Sequence, residues 1–455
     1  MVCKDAQMSR RVFVGAAATA GAALAGLAGC SGGSGAASGS ADAGSGARDQ
    51  VTIAMSTSNE PAAGFDPCVD WGCGEHVHEP LIQSTLVVTD KDMAFVNDLA
   101  VSYECSTDNL VWTFEIRDDV RFSDGKPLRA SDVAFTINTI RQSERAQADL
   151  TMVSEAVATS DTVVEIRLSK PYNALLYTLA VMGIVPEHAY GDTYGEAPVG
   201  SGRYLLKQWD RGQQVILEAN PDYYGDTPTI KRVTVVFMEE DAALAAAKSG
   251  QVDMAYTSAT YADQEVSGYS LASYKTVDSR GINLPVIASG SSKRDGENTY
   301  PAGNDVTCHV EVRRAINMAI DREQMIKNVL NGRATAAYSI GDGLPWASAD
   351  MRIERDLDAA KALLEDAGWK AGEDGVRVLD GTRAELTLYY AAGDTVRQAM
   401  ANEFANQMKE LGIAVTPTGA SWDDIYPHEF SDPIMVGWGP TRPPTSTRLT
   451  TPRAR

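Results

Sequence analysis

VWTFEIRDDVRFSDGKPLRASDV, residues 111–133, decides how the chain is to be read. Trp112, Phe114 and Ile116 alternate with polar neighbours, the two-residue period of a strand with one buried face. Asp124-Gly125 supplies a tight turn, and Pro127 limits continuation of a strand beyond it. Ser131 or Asp132 then caps a helix that carries Val133, Ala134, Ile137 and Ile140 at helical spacing.

The same two periods recur on both sides. Val51 to Met55 reads as a short strand, followed by a loop over 56–74 with Asp66-Pro67 as a turn signal. Val164, Ile166 and Leu168 alternate, as do Val233, Val235 and Phe237, and a helix over 241–250 stops at Gly250. After about residue 285 the texture changes to βα units. Val312, Ala315, Ile316, Ala319 and Ile320 fall at helical spacing. Asp321 opens a second helix, with Gln324 three places on completing a capping box and Gly332 ending it. A third helix over 358–367 ends at Gly368. Glu385 to Tyr390 is a strand, and Val396, Met400, Phe404, Met408 and Leu411 form a stripe that stops at Gly412. Ile413 to Thr416 is a further strand. The pattern is that of an α/β protein with mixed sheets in at least two lobes.

A chain of 455 residues is too long for one ordinary core, so two or three domains are expected. Acidic residues outnumber basic ones by 61 to 40, a net charge of −21. Such a surface repels phosphate backbones, which excludes nucleic acid as a natural partner. Only residues 12–41 form a long charge-free run.

That run belongs to an export signal. Arg10 and Arg11 precede Val12-Phe13-Val14, an Ala/Gly-rich stretch follows, and Leu27-Ala28-Gly29-Cys30 closes it. The paired arginines look like a twin-arginine signal, and Leu-Ala-Gly-Cys looks like a lipobox in which Cys30 is diacylated and becomes the new N-terminus. A transmembrane anchor is the alternative, but Gly and Ala dilute the apolarity that spanning needs. Residues 31–50 are nearly all Gly, Ser and Ala and behave as a tether with an end-to-end distance of roughly 25 Å. Two acyl chains suffice for stable anchoring. The expected location is extracytoplasmic, on a membrane-anchored lipoprotein in the periplasmic space or on the outer face of the cell membrane.

No G-x-S-x-G elbow, phosphate loop, G-x-G-x-x-G or H-E-x-x-H occurs, which shifts the reading away from catalysis and toward binding. The loop Cys68-Val69-Asp70-Trp71-Gly72-Cys73-Gly74-Glu75-His76-Val77-His78 is chemically the richest segment. Cys68, Cys73, His76 and His78 have near-zinc spacing and suit a borderline-soft metal. A Cys68–Cys73 disulfide, or packed structural thiols, fits the same residues in an oxidising compartment. A secreted metal-dependent enzyme using this loop is the alternative of a different class. No resident cofactor is expected; a metal or metal chelate would be bound as ligand.

Several stretches, in order, resemble the family 5 extracellular solute-binding proteins, the peptide- and nickel-binding components of ABC importers. The 111–133 segment resembles the family's hallmark. Gly64-Phe65-Asp66-Pro67 with Glu79-Pro80-Leu81 is similar to its D-P and E-P-L pair. Pro198-Val199-Gly200-Ser201-Gly202-Arg203-Tyr204 and Asn220-Pro221-Asp222-Tyr223-Tyr224-Gly225 resemble a further block. Gly250-Gln251-Val252-Asp253 and Val312-Arg313-Arg314-Ala315-Ile316 with Asp321-Arg322 complete the set. The resemblance runs from about residue 51 to about 439. It implies a two-lobe periplasmic-binding-protein-like clamp with an inserted subdomain in the first lobe, closing over a peptide or metal chelate and presented to permease subunits. The physics of the motifs is structural: Arg117 and Arg121 read as solvated or paired, and Gly200 and Gly202 as permitting special backbone geometry.

The expected organisation is a signal over 1–29, the lipidated Cys30 and tether over 30–50, a first lobe over 51–280 with its insertion at about 82–190, and a second lobe over 281–439. The first crossing between lobes lies near Arg280-Gly281-Ile282-Asn283. Ligand-binding candidates are Trp71, Trp438, His76 and Asn283, with plain core packing the alternative for each tryptophan. The resemblance implies that Trp438, in Val436-Gly437-Trp438-Gly439, is the aromatic that nickel-type members place against a chelate. Peptide-type members carry an aspartate shortly after it, and here no acid follows. Residues 440–455 hold four arginines, four prolines and no acid. They read as an aberrant or disordered tail, which leaves the second lobe incomplete and raises the reading of a truncated, non-functional importer component.

Overall fold

The computed structural model describes residues 48–61, 64–69, 80–143, 146, 148–274, 278–295, 298–344 and 347–438. The fold is mixed α/β, as the two periods require. In the first sheet the strands lie in the order Met254–Ala255, Gln50–Met55, Arg232–Phe237, Gln214–Ala219, Tyr204–Asp210. Gln50–Met55 runs parallel to both of its neighbours, so three strands send their carboxyl ends to the same edge. The helix Glu240–Lys248 packs Ala243, Ala246 and Ala247 against Ala54 of the central strand. Gly250, at φ +70°, turns the chain out of it as expected.

Ala100–Cys105, Val111–Ile116, Val163–Leu168 and Val153–Ala158 form a separate antiparallel sheet in that order. Phe114, Ile116, Val164, Ile166 and Leu168 point into one core with Val133, Ile137 and Ile140. The alternation read at Trp112, Phe114 and Ile116 is this buried face. The helix spans Ala130–Gln142, and its cap is Arg129 rather than Ser131 or Asp132. Asp132 sits in the first turn instead, where one carboxylate oxygen accepts the Arg129 N–H at 2.9 Å and the other accepts the Glu187 N–H at 3.0 Å. It therefore anchors both the helix start and a distant segment, which a residue at the cap position itself would not do.

In the second sheet the strands lie in the order Ser279–Asn283, Ile434–Trp438, Glu385–Ala391, Ala414–Ala420. The last three are mutually parallel, and Ser279–Asn283 is antiparallel to Ile434–Trp438. The helices Val310–Ala319, Leu357–Asp366 and Thr395–Leu411 cover it, burying Val312, Ala315, Ile316, Leu364, Met400, Phe404, Met408 and Leu411 with Leu386 and Leu388. Asp321 caps Arg322–Val329 by accepting the Gln324 N–H at 2.8 Å. The other half of the expected capping box is absent, because the Asp321 N–H donates to Oε1 of Gln407 at 2.7 Å. A tertiary contact has displaced the local one.

The motifs hold the fold to itself. Gly202 N donates to Ile82 O at 2.8 Å, Tyr204 N to Leu81 O at 3.0 Å, and Ser123 N to Gly200 O at 2.8 Å. Arg117 pairs with Asp119 and lies 5.0 Å from the centre of the Tyr224 ring, whose hydroxyl donates to Asp98 at 2.6 Å. Arg121 donates to Gly125 O at 2.9 Å. The special backbone geometry read at Gly200 and Gly202 is close approach: a Cβ on Gly200 would stand 1.9 Å from Ile82 O. No described helix is long and apolar enough to cross a membrane.

Candidate functional site

In open sheets of parallel strands, ligands gather outside the carboxyl ends, where helix starts and loops converge. In the first sheet those ends lead into Thr57, into Glu239 and Glu240 at the start of a helix, and into Tyr256. In the second they lead into Asp394, into Trp422 after Ala420, and into Trp438 at the last strand's end. Burial pushes the Glu240 carboxyl up, with Asp394 and Glu239 adding to the shift against a hydrogen bond from Ser258. The Tyr256 phenol lies within electrostatic reach of Glu240, Arg280, Asp394 and Asp278. Groups at the two carboxyl edges therefore lie near one another, and the region where they meet is the candidate site.

The walls are built differently. On the first side Thr57 Oγ1 donates to Glu239 at 2.7 Å and Ser258 Oγ to Glu240 at 2.8 Å, while Tyr256 is 53% exposed. On the second, Asp394 caps the Thr395–Leu411 helix through the Arg397 N–H and also accepts from the Arg397 guanidinium, both at 2.8 Å. That guanidinium lies 5.7 Å from the centre of the Trp422 ring, which is 46% exposed. Tyr256 and Trp422 thus offer partly open aromatic surface beside carboxylates, the materials that hold apolar faces and positive charge. Sequence reasoning missed both. Tyr256 stands just past a strand end outside any element, and Trp422 opens the four-residue helix Trp422–Ile425, too short for periodicity to mark it.

Of the candidates read from the sequence, Asn283 and Trp438 are held apart. Asn283 pairs with Ile434, whereas Trp438 pairs with Ser279, so the two lie at opposite ends of one strand pair. Four residues of strand separate them by roughly 13 Å. Trp438 reaches the edge that faces Tyr256; Asn283 does not. Arg280 to Asn283, where the first crossing is expected, lie in the strand Ser279–Asn283 of the second sheet. The Trp438 side chain, Trp71, Cys73, His76 and His78 lie outside the described residues, as do Arg10, Arg11, Cys30 and the 440–455 tail.

Cys68 is a free thiol packed into the core around the four-stranded antiparallel sheet. Its N–H donates to Asp66 Oδ1 at 2.9 Å, and Tyr190 donates to Asp66 Oδ2 at 3.1 Å. Burial, and then the Asp66 charge, push its pKa well above the ordinary thiol value, with Tyr190 opposing. Cys73, its partner in the disulfide or metal reading, is outside the described residues. Among the described residues no group of three His, Cys, Asp or Glu side chains is placed to hold a metal ion.

A family model described as "Bacterial extracellular solute-binding proteins, family 5 Middle" matches residues 94–453, past the Gly439 at which the motif resemblance ends. Protein XP55 of Streptomyces lividans is 33% identical over 380 residues, covering 78% of this chain and 65% of its own length. The chain thus spans just under two thirds of that relative. The oligopeptide-binding protein AppA of Bacillus subtilis is 28% identical, covering 79% of this chain and 68% of AppA. The crystal structure of NikZ from Campylobacter jejuni in complex with Ni(L-His) superposes with a TM-score of 0.73 at 24% identity, over 87% of this chain and 78% of NikZ. The fold is that of NikZ, and the chain belongs to the family 5 bacterial extracellular solute-binding proteins.

Proposed function

We propose that the chain is the extracytoplasmic solute-capturing component of an ABC importer, binding a peptide or a metal chelate between its two facing sheet edges and delivering it to permease subunits. One observation carries the reading: the family 5 match spans residues 94–453, most of the chain. AppA is described as oligopeptide-binding, and NikZ was crystallised with Ni(L-His). Closure would be driven by the ligand's greater affinity for the closed arrangement, with no bond made or broken. Diacylated Cys30 and the 31–50 tether would keep the body at the membrane surface after twin-arginine export.

A thermal-shift series on the purified protein tests this with nickel–histidine, free nickel and a set of short peptides. A ligand at one hundred times its Kd adds about 2.7 kcal/mol to the native state, a rise of several degrees in melting temperature. Stabilisation by nickel–histidine or by peptides supports the reading; stabilisation by none of them contradicts it. Export is tested separately. Arg10→Lys with Arg11→Lys should block transport, and Cys30→Ala should abolish palmitate labelling; continued labelling would exclude the lipid anchor.

A further inference from the structure

The segment that carries the chain from the first sheet to the second does more than connect them. After Tyr256 it stays with the first body: Ser258 bonds Glu240, Gln264 accepts from Lys248 Nζ at 2.9 Å, Val266 packs on the cluster around Ala54, and the Tyr269 hydroxyl bonds Val252 O. Its outer side is gripped by the second body. Asn331 Nδ2 donates to Ala259 O at 2.9 Å, and Arg333 Nη2 pairs with Asp263 Oδ1 at 3.0 Å. Asn331 and Gly332 both have left-handed backbone, φ +50° and +72°, which turns the chain sharply at the end of Arg322–Val329. The two donors thus leave a tight turn just past a helix end, while their acceptors sit on a segment fixed to the other body.

We infer that Asn331 and Arg333 form a strap that holds the two bodies near their closed arrangement before any ligand arrives, and so sets the affinity of the site. The inference rests on the importer reading only for its functional consequence; the strap itself is a property of the free protein. Both contacts are exposed, so they contribute little to global stability. They act instead on the balance between open and closed arrangements that the importer reading supposes. A ligand's apparent affinity is its intrinsic affinity reduced by the fraction of competent protein. Removing a surface ion pair and one hydrogen bond should lower that fraction roughly three- to ten-fold. The site would then bind that much more weakly with every residue in its walls unchanged.

The variants are Arg333→Ala, Asn331→Gly and the exchange Arg333→Asp with Asp263→Arg. Glycine at 331 keeps the left-handed turn and removes only the amide. Small-angle scattering on the ligand-free exported protein reads the strap directly. Calorimetric titration with nickel–histidine, and with a peptide pool, reads its effect on the site. Expected are a larger radius of gyration and roughly two- to four-fold weaker binding in each of Arg333→Ala and Asn331→Gly, unchanged melting temperature, and recovery of both Arg333→Ala readouts in the exchange variant. Scattering and affinity that match the wild type in both single variants would overturn the strap, as would failure of the exchange to restore them. If neither probe binds the wild type, the importer reading fails, while the scattering result still decides the strap.

Discussion

Gly200→Ala should be among the most damaging single-methyl changes in the molecule. The new Cβ would lie 1.9 Å from Ile82 O, 2.7 Å from its carbonyl carbon and 3.0 Å from its Cγ2. Ordinary contact begins near 3.4 Å, so one backbone must retreat from the other by about 1.5 Å. Neither is free to do so. Ile82 O already accepts Gly202 N at 2.8 Å, Leu81 O accepts Tyr204 N at 3.0 Å, and Gly200 O accepts Ser123 N at 2.8 Å. Ile82 and Ser201 are buried, so bonds broken there are not replaced by water. Overpacking costs about 1–3 kcal/mol, and a buried donor or acceptor left unpaired about 1–3 kcal/mol. The expected loss is about 3–5 kcal/mol, measured by urea unfolding followed through tryptophan fluorescence. Gly212→Ala is the control. Its φ is +72° but a Cβ there meets nothing within 4 Å, so only the left-handed backbone penalty of about 1–2 kcal/mol applies. A Gly200→Ala variant within about 0.5 kcal/mol of wild type, or one no worse than Gly212→Ala, would refute the reasoning.

Other expectations follow from the same contacts. Burial pushes the Asp98 pKa up from 3.8 despite the Tyr224 and Thr85 hydrogen bonds, so its contribution to stability is present below the unfolded value and lost as pH rises through the folded one. Asp98→Asn should therefore flatten the fall in urea midpoint from about pH 4 upward, and an unchanged slope would exclude Asp98 as its source. Iodoacetamide should leave Cys68 unlabelled in the native protein and modify it only after unfolding; native labelling would contradict its place in the core. Tyr256→Ala and Trp422→Ala should each weaken capture of the bound solute about ten-fold by calorimetry. Wild-type affinity in both would place the ligand elsewhere.

Much of the architecture could be read from periodicity and punctuation. The Val396 to Leu411 stripe ending at Gly412 is the Thr395–Leu411 helix with its left-handed terminus at φ +79°. Where the reading stopped short, a tertiary fact intervened. The strand read as Ile413 to Thr416 spans Ala414–Ala420, running through Pro417. Proline normally ends a strand, but this one lies at the sheet edge, where a missing N–H breaks no ladder. The Asp321 capping box was half right because Gln407, far along the chain, competes for the same N–H. The site was less legible than the fold. Its walls stand just past strand ends, where Tyr256 and Trp422 fall in no periodic stretch and Asp394 reads only as a helix cap. Asn283 lies at the end of its strand away from Trp438, and strand position alone does not say which end a ligand meets.

The most direct test of the central claim is native mass spectrometry of the protein exported by its own cells, with collision cross-section measured alongside mass. A solute-capturing clamp should carry a peptide or a metal chelate at one per chain, lose it on mild activation, and occupy a smaller cross-section with the ligand than without it. Protein that carries no peptide or chelate, or that carries one with no change in cross-section on losing it, would contradict the account.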